Sequence, residues 1–301
     1  MTHKTHKIHK QSCVIAVSEK EDKPILFKIR DRKYVPKLRV YHELVNGVEV
    51  LYVKDEITAW IEGINEYGIG VINSALLVKR DENEHLNPIR RKRQGRVMSR
   101  DGNRVLKILA SRNIEEALDM TLKYDDGIKG HTFISDGTTT YAVEHTSKLK
   151  PKHRKLRGKA THVRTNHGLL YPGAGYTGGA PLESSVQRKK MVERVLRKSE
   201  KIKDISPDLF NESLKSKQNF NSAVRKGKGE MFTSSLMAIN LKELKIMLYI
   251  LEDKGDYLGY RNRINGQTKC TFDVYRFNKK NKIERLGNKP DQFVEDVPRD
   301  M

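Results

Sequence analysis

The chain has 301 residues, and 59 Lys plus Arg against 38 Asp plus Glu give it a formal net charge of +21. Its length suits one large domain or two ordinary ones, and recurring apolar runs exclude a wholly disordered chain. Two cysteines without paired spacing exclude a disulfide framework and a cysteine zinc site. No stretch approaches the roughly 18 apolar residues of a membrane span, so we expect a cytoplasmic protein without membrane contact.

The first twelve residues read MTHKTHKIHKQS and are too polar to bury an apolar face. We expect residues 1–12 to form a mobile leader before a single domain over residues 13–301. His3, His6 and His9 would share one face if the leader became helical, and they could then bind a metal. A solvated tail explains the same pattern, so we expect neither a metal nor another cofactor.

Short β-like runs follow and predict a meander of antiparallel strands. The predicted strands pair across turn signals: 13–17 with 24–29, 39–41 with 48–53, and 57–62 with 68–73. The second pair flanks Asn46-Gly47, the strongest short hairpin signal.

Helical periodicity appears next, at residues 103–111 and 114–123, with Asn113 as the predicted N-cap of the second helix. Strands return at 131–135 and 139–144, a third helix covers 184–200, and strands follow at 232–239, 244–252 and 269–276. Strands, then helices, then strands without β-α-β alternation predict an α+β layered architecture.

Cys13 stands where the leader meets the first predicted strand. A lone cysteine there is ordinarily a small apolar residue of the core. The predicted hairpin, however, brings residues 27–32 opposite it. Later in the chain Thr165-Asn166-His167-Gly168 follows a short β run, and residues 184–188 open a helix.

In this order, these segments resemble the N-terminal nucleophile hydrolases that cleave linear amides. This branch includes choloylglycine hydrolases, penicillin V acylases, N-acylethanolamine acid amidases and acyl-coenzyme A:6-aminopenicillanic acid acyltransferases. The resemblance covers most of the chain from Cys13 to about Ile250, and its matching segments are Cys13, Arg30-Asp31, residues 65–73, residues 164–167 and residues 184–188. It implies an α+β fold of four layers, αββα, with two antiparallel sheets between helices.

The resemblance also implies a mechanism that begins with autocatalytic cleavage of the chain. The Cys13 thiol would attack the Ser12 carbonyl, and hydrolysis of the thioester would release the leader as a propeptide. The new α-amino group of Cys13, with a reference pKa of roughly 7.7 to 8.0, would then serve as the base. The chain would thus be a self-activating cysteine amidohydrolase, acting by hydrolysis or by acyl transfer on a small-molecule or peptide-like amide.

The resemblance implies one catalytic residue that holds the α-amino group and another that stabilises the transition state. Asp31 matches the aspartate that anchors the α-amino group, although a salt bridge to Arg30 or Arg32 is the simpler role. Asn166 matches an oxyanion-hole asparagine, whose donor typically contributes about 3 to 4 kcal/mol of transition-state stabilisation. An ordinary turn asparagine is the alternative.

Two further matches are weaker. Asn73 matches a second active-site asparagine of the bile-salt and penicillin V branch, and it could equally be a strand-end cap. Arg188 matches the arginine that supports the nucleophile pocket, where a solvated helix arginine is the alternative. A conventional Cys-His pair with His167 or His145 is a further option.

The sequence departs from the family pattern at residues expected to contact the substrate. Lys28 and Ile29 occupy the slots where the family often has Arg-Asn, so Arg30 is our candidate for the cationic pocket residue. We expect Trp60, Tyr171 and Gly173 to contribute to the same pocket, the last two from a glycine-rich loop over residues 171–179 at its mouth.

Two basic stretches, residues 88–93 and 148–159, fall in predicted connections between regular elements. They are either solvated loops or contacts for a polyanion such as nucleic acid. The competing function is therefore a basic nucleic-acid-associated protein on a catalytically inactive scaffold. Family members often assemble, which leaves a homo-oligomer open.

Overall fold

The computed structural model describes residues 11–20, 22–32, 36–76, 100–123, 128–146, 150–156, 160–215, 221–225, 231–251, 270–277 and 283–288. Within these residues the chain forms two seven-stranded antiparallel sheets. Most of the predicted leader (residues 1–10) and the basic stretch 88–93 lie outside the described residues. Gln11 and Ser12, the end of the predicted leader, are the first two residues of strand β1.

The first sheet has the order β10-β1-β2-β11-β12-β13-β14. Its strands are β1 (Gln11–Lys20), β2 (Lys23–Arg32), β10 (His162–Arg164), β11 (Phe232–Asn240), β12 (Lys245–Leu251), β13 (Cys270–Phe277) and β14 (Ile283–Asn288). β1 and β2 form the predicted hairpin, in which Ser12 pairs with Asp31 and Cys13 with Arg30.

The second sheet follows chain order from β3 to β9. Its strands are β3 (Leu38–Val45), β4 (Val48–Asp55), β5 (Ile61–Asn65), β6 (Gly70–Ser74), β7 (Gly130–Ser135), β8 (Thr140–His145) and β9 (Lys152–Leu156). Asn46 and Gly47 make the predicted turn between β3 and β4 with φ of 51° and 78°. The positive φ of both residues is typical of the tight hairpin turns that favour Asn-Gly.

Helices cover the outer face of each sheet. The described helices are α1 (Arg100–Leu109), α2 (Ile114–Leu122), α3 (Gly179–Lys198) and α4 (Ile205–Lys215), with a short 3-10 turn at Ile202–Asp204. Asn113 caps α2 as predicted, because its side chain accepts a hydrogen bond from the backbone N–H of Glu116 at 2.9 Å.

Three apolar cores separate the four layers. One lies between α3, α4 and the first sheet, and includes Phe27 and Val192. A second lies between α1, α2 and the second sheet, and includes Val71 and Val105. The third lies between the sheets, where Ile15 of the first sheet and residues such as Phe133 of the second are buried. The α+β fold of layers αββα is therefore confirmed.

Three sequence predictions of local structure were wrong. The strand predicted at 57–62 begins only at Ile61, because the buried Asp55 carboxylate accepts hydrogen bonds from the Ile57 N–H (3.1 Å) and the Thr58 hydroxyl (2.9 Å) and so stabilises a turn. The helix predicted from Ser184 begins at Gly179, with Pro181 in its first turn, a position where the missing N–H of proline has no cost.

The third correction concerns the basic stretch 148–159, which is not only a connection. Lys152–Leu156 form β9, the edge strand that pairs with β8. The first four residues of β9 are exposed. An edge strand needs only one partner, so its charged side chains stay in solvent and discourage pairing with other chains.

Candidate active site

The alternation of side chains along β1 places Ser12 and Cys13 on opposite faces of the first sheet. Val14 packs in the core under the helices, whereas Ile15 packs in the core between the sheets. Because side chains two residues apart share a face, Ser12 faces the helices and Cys13 faces the second sheet. The side chains on either side of the predicted scissile bond therefore lie in two different environments.

On the inner face, Cys13 meets cations from β2. Cys13 is a free cysteine with only 3% of its surface exposed. Nη1 of Arg32 donates a hydrogen bond to its Sγ at 3.3 Å and another to the Asp31 carbonyl oxygen at 2.8 Å. Lys28 and Arg30 precede Arg32 at two-residue spacing, so all three cations lie on the face that carries the thiol.

Two buried carboxylates of the second sheet oppose these cations. Glu62 of β5 forms ion pairs with Lys28 and Arg30. Asp55, at the end of β4, has Oδ2 at 3.8 Å from both Arg30 Nη1 and Arg32 Nε. We call these five charged residues together with Cys13 the inner cluster.

Charge in the inner cluster changes three ionisation equilibria. Burial is the largest influence on Cys13 and would raise its pKa, but the positive charges, Arg32 foremost, more than compensate and hold the thiol pKa below its ordinary value. Burial lowers the pKa of Lys28 to about 8 despite the opposing charge of Glu62. Burial opposes ionisation of Glu62 as well, yet Arg30 and Lys28 lower its pKa.

On the helix-facing side, Ser12 is held by two predicted site residues. Its hydroxyl donates to Asn166 Oδ1 at 2.7 Å and accepts from Arg188 Nη1 at 2.8 Å. Arg188 also forms an ion pair with Asp31 Oδ2. The structure therefore brings together four predicted residues from three distant parts of the chain, Ser12, Asp31, Asn166 and Arg188, which we call the outer cluster.

Further buried groups fix the carboxylate and the guanidinium of the outer cluster. Thr233 of β11 donates its hydroxyl proton to Asp31 Oδ1 at 2.8 Å, and Arg225 Nη1 lies 3.6 Å from Asp31 Oδ2. Arg188 Nε donates to the Ser222 carbonyl oxygen at 3.2 Å. Arg188 and Asp31 are both fully buried. Arg188 is therefore not a solvated arginine on the helix surface.

Asn166 lies in a tightly constrained turn after β10. Its backbone N–H donates to Ser185 Oγ at 2.9 Å, and its Nδ2 donates to the Ala75 carbonyl oxygen at 2.6 Å. The N–H of Tyr176, in the glycine-rich loop, donates to the Asn166 carbonyl oxygen at 3.1 Å. A Cβ on Gly175 would come within 2.4 Å of that oxygen, so the loop can approach the turn only with glycine there.

Asn73 is not brought to these clusters. It follows Val71 at two-residue spacing on β6, and Val71 packs under α1 and α2, so Asn73 faces the helices of the second sheet. Its Nδ2 donates to the Ile61 carbonyl oxygen at 3.2 Å, and its buried Oδ1 has no hydrogen-bond partner among the described residues.

The predicted pocket residues come from three separate parts of the chain. Trp60 is half-buried, and Lys28 Nζ lies 5.9 Å from the centre of its ring, which connects Trp60 to the inner cluster. Tyr171 lies in the glycine-rich loop with Lys152 Nζ 4.1 Å from its ring centre. Gly173 is exposed, with open space where a Cβ would be. Arg30 lies in the inner cluster.

The glycine-rich loop is anchored by a buried carboxylate. Glu144 of β8 accepts hydrogen bonds at 2.9 Å from three consecutive backbone N–H groups, those of residues 169–171. His131 lies beside it, with Nδ1 3.5 Å from Glu144 Oε2. Burial lowers the His131 pKa to about 4, so this histidine is neutral at physiological pH.

The histidines of the Cys-His alternative have other contacts. His167 Nδ1 lies 2.8 Å from Ser185 Oγ and 3.1 Å from Thr165 Oγ1, and its carbonyl oxygen lies 2.9 Å from His131 Nε2. These contacts make His167 part of the turn that holds Asn166. The Cys13 sulfur instead accepts a hydrogen bond from Arg32.

Sequence reasoning missed Arg32, Asp55 and Glu62 as site residues. One signal was present, because Lys28, Arg30 and Arg32 alternate with apolar residues in a strand that forms part of a core. Three cations on one buried face require acidic partners. Which acidic residues supply them depends on how the two sheets stack, and no local pattern in the sequence reports that.

The described residues contain no cluster of three or more side chains suited to holding a metal ion. None of the described helices combines the length and the apolar character needed to cross a membrane.

Comparison with known proteins supports the fold. No protein-family model and no curated protein matches the chain. A mutant of the conjugated bile acid hydrolase from Clostridium perfringens is similar in structure, with a TM-score of 0.50 and 14% identity over 92% of this chain and 97% of that chain. The penicillin V acylase from Agrobacterium tumefaciens gives a TM-score of 0.42 and 12% identity over 78% and 82%. The likeness to the bile acid hydrolase shows a shared fold.

Proposed function

We propose that this protein is a self-activating cysteine amidohydrolase, with Cys13 as its nucleophile after a cut between Ser12 and Cys13. The observation that carries the proposal is the placement of this one peptide bond. The Cys13 sulfur, on one side of the bond, faces the cations of the inner cluster. The Ser12 side chain, on the acyl side of the bond, is hydrogen-bonded to Asn166 and Arg188.

The first reaction is the cut itself. The Cys13 sulfur forms a bond to the Ser12 carbonyl carbon, the peptide C–N bond breaks, and the departing nitrogen takes a proton and becomes the α-amino group of Cys13. Water then hydrolyses the thioester to a carboxylate and returns the thiol. The hydrogen bonds from Ser12 to the outer cluster hold the acyl side of the bond during this reaction.

The second reaction acts on the substrate amide with the new α-amino group as base. Asp31 pairs with Ser12 across the hairpin, so its carboxylate lies beside the position that the amine takes and stabilises its protonated form. Departure of Ser12 frees Asn166 Oδ1 and Arg188 Nη1 from the contacts that they make in the uncut chain. The acyl part of a substrate can then occupy that space, and water or another nucleophile accepts it.

A chain that starts at Cys13 tests the catalytic proposal without the cut. Residues 1–12 are replaced by an initiator methionine that is removed during expression, and release of amine is measured from a panel of N-acyl amides. We expect turnover that the Cys13→Ala variant abolishes and that Cys270→Ala, the matched control at the other cysteine, retains. Equal turnover by Cys13→Ala and the parent chain would refute the proposed nucleophile.

A second candidate function rests on β9. Its residues Lys152, His153, Arg154 and Lys155 are all exposed on a sheet edge, and such a row of positive charge can contact phosphates without sequence preference. If β9 binds a polyanion, affinity for mixed-sequence RNA or DNA should fall steeply with salt and fall again in an Arg154→Glu, Lys155→Glu variant. Absence of binding at low ionic strength would exclude this function.

A further inference from the structure

The proposed mechanism leaves the first cut without a base. The α-amino group of Cys13 that serves later does not exist while the Ser12–Cys13 bond is intact. A neutral thiol attacks a carbonyl poorly, because the thiolate is the nucleophile. The uncut chain therefore needs another means of ionising Cys13.

Arg32 is placed to supply it. Its Nη1 lies 3.3 Å from Cys13 Sγ, and the same guanidinium is anchored by the Asp31 carbonyl oxygen at 2.8 Å and by Asp55, whose Oδ2 lies 3.8 Å from Nε. Arg32 is buried, so water screens its charge little. A guanidinium also stays protonated at any pH at which the protein is folded.

The other charges around Cys13 come from several elements. The charged groups that face it or lie next to it are Lys28, Arg30 and Asp31 of β2, Asp55 of β4, Glu62 of β5 and Arg225 of the segment before β11. Glu62 pairs with Lys28 and Arg30, so part of their charge is already compensated. Among the cations, Arg32 makes the direct contact with sulfur and has the largest effect on its ionisation.

We propose that Arg32 holds Cys13 as a thiolate in the uncut chain, so that the first cut proceeds without a general base. This inference rests on the proposed function and adds a residue that the family resemblance does not supply. The thiolate sulfur bonds to the Ser12 carbonyl carbon, and the C–N bond breaks as water protonates the leaving nitrogen. The hydroxide formed then cleaves the thioester, which leaves the Ser12 carboxylate and the Cys13 thiol.

The test compares Arg32→Gln with Arg32→Lys and with Arg39→Gln, a control at an exposed arginine of β3. Each chain is purified unfolded and then refolded, so that the cut starts from the intact chain. Its rate is followed by intact mass from pH 5 to 9, and thiolate content before the cut by ultraviolet absorbance relative to a Cys13→Ala chain. We expect Arg32→Gln to cut about tenfold more slowly or worse at neutral pH and to need higher pH, as removal of an adjacent charge requires. Arg32→Lys should restore much of the rate, and Arg39→Gln should match the wild type.

Unchanged cutting and unchanged thiolate absorbance in Arg32→Gln would overturn the inference. Should that variant fail to fold, the wild-type titration decides alone, because a thiol that ionises at or above the usual pKa of about 8.5 contradicts it. Failure of the proposed function has a different signature. In that case the wild type is not cut at any pH, while the absorbance measurement still reports whether Arg32 controls ionisation of Cys13.

Discussion

The two faces of the β1–β2 hairpin are both buried and charged, but they are built differently. The helix-facing side surrounds one carboxylate, Asp31, with Arg188, Arg225 and the hydroxyl of Thr233. The inner side sets cations of one strand against Glu62 and Asp55 of the opposite sheet. The first arrangement holds the acyl side of the Ser12–Cys13 bond, and the second sets the ionisation of the sulfur.

This division shows how one strand can both position a peptide bond and activate the nucleophile beside it. Consecutive side chains of a strand point to opposite faces, so positioning and activation can be supplied by separate groups. A change on one face should then disturb one function more than the other. The following predictions test that separation.

The largest effect is expected on the helix-facing side, from Asp31→Asn. The variant leaves the buried guanidiniums of Arg188 and Arg225 without their carboxylate. Breaking a buried ion pair in this way costs about 3 to 5 kcal/mol. Urea unfolding measures the loss, and Asp119→Asn, at an exposed aspartate of α2, should stay within about 0.5 kcal/mol of the wild type. Equal stability of the two variants would contradict the role of Asp31 as the centre of this face.

On the inner side, Glu62→Gln should lower the free energy of unfolding by a smaller amount, about 2 kcal/mol. Lys28 has a pKa of about 8 and can give up its proton when its partner is lost, and Asp55 remains near Arg30. Urea unfolding measures the loss. The thiolate content of Cys13 should change little, because the positive charge of Lys28 near the sulfur is lost together with the negative charge of Glu62. A loss of stability as large as that of Asp31→Asn would contradict the difference between the two faces.

A smaller effect is expected from Ser12→Ala. It removes one hydrogen bond to Asn166 and one from Arg188, which costs about 1 to 2 kcal/mol, and it should slow the cut without changing the ionisation of Cys13. Intact mass gives the rate, and absorbance gives the thiolate content. A changed titration of Cys13 with an unchanged rate would reverse the assignment of the two faces.

The last prediction concerns the pH dependence of stability that Lys28 contributes. Its pKa falls from 10.5 to about 8 on folding, so between these values the unfolded chain holds more protons than the folded chain. The contribution of Lys28 to stability must therefore rise as pH increases from about 8 to about 10.5. The unfolding free energy of the wild type minus that of Lys28→Met should increase over this window. A difference that stays level would mean that Lys28 is not desolvated on folding.

Local signals in the sequence predicted much of the fold. Asn46-Gly47 specified its hairpin turn, and Asn113 specified the start of α2, because each depends on residues a few positions away. The edge strand β9 was missed, since its run of charged residues carries no apolar alternation. The strand predicted at 57–62 starts late because of contacts of the Asp55 side chain that propensity does not encode.

The site was predictable in part. The order of motifs pointed to Asp31, Asn166 and Arg188, which the structure places around Ser12 although they are up to 176 residues away in sequence. The resemblance also pointed to Asn73, which lies on the helix-facing side of the other sheet. The contact between Arg32 and Cys13 and the partners Glu62 and Asp55 depend on strand register and sheet stacking, so short-range patterns could not reveal them.

The most direct test of the central claim is the intact mass of the freshly purified full-length chain. The account predicts a mature protein that begins at Cys13 with a free amine, and a Cys13→Ala chain that keeps residues 1–12 under the same conditions. A wild-type chain that retains residues 1–12 across the pH range in which it stays folded would contradict it, as would a Cys13→Ala chain cut at the same bond.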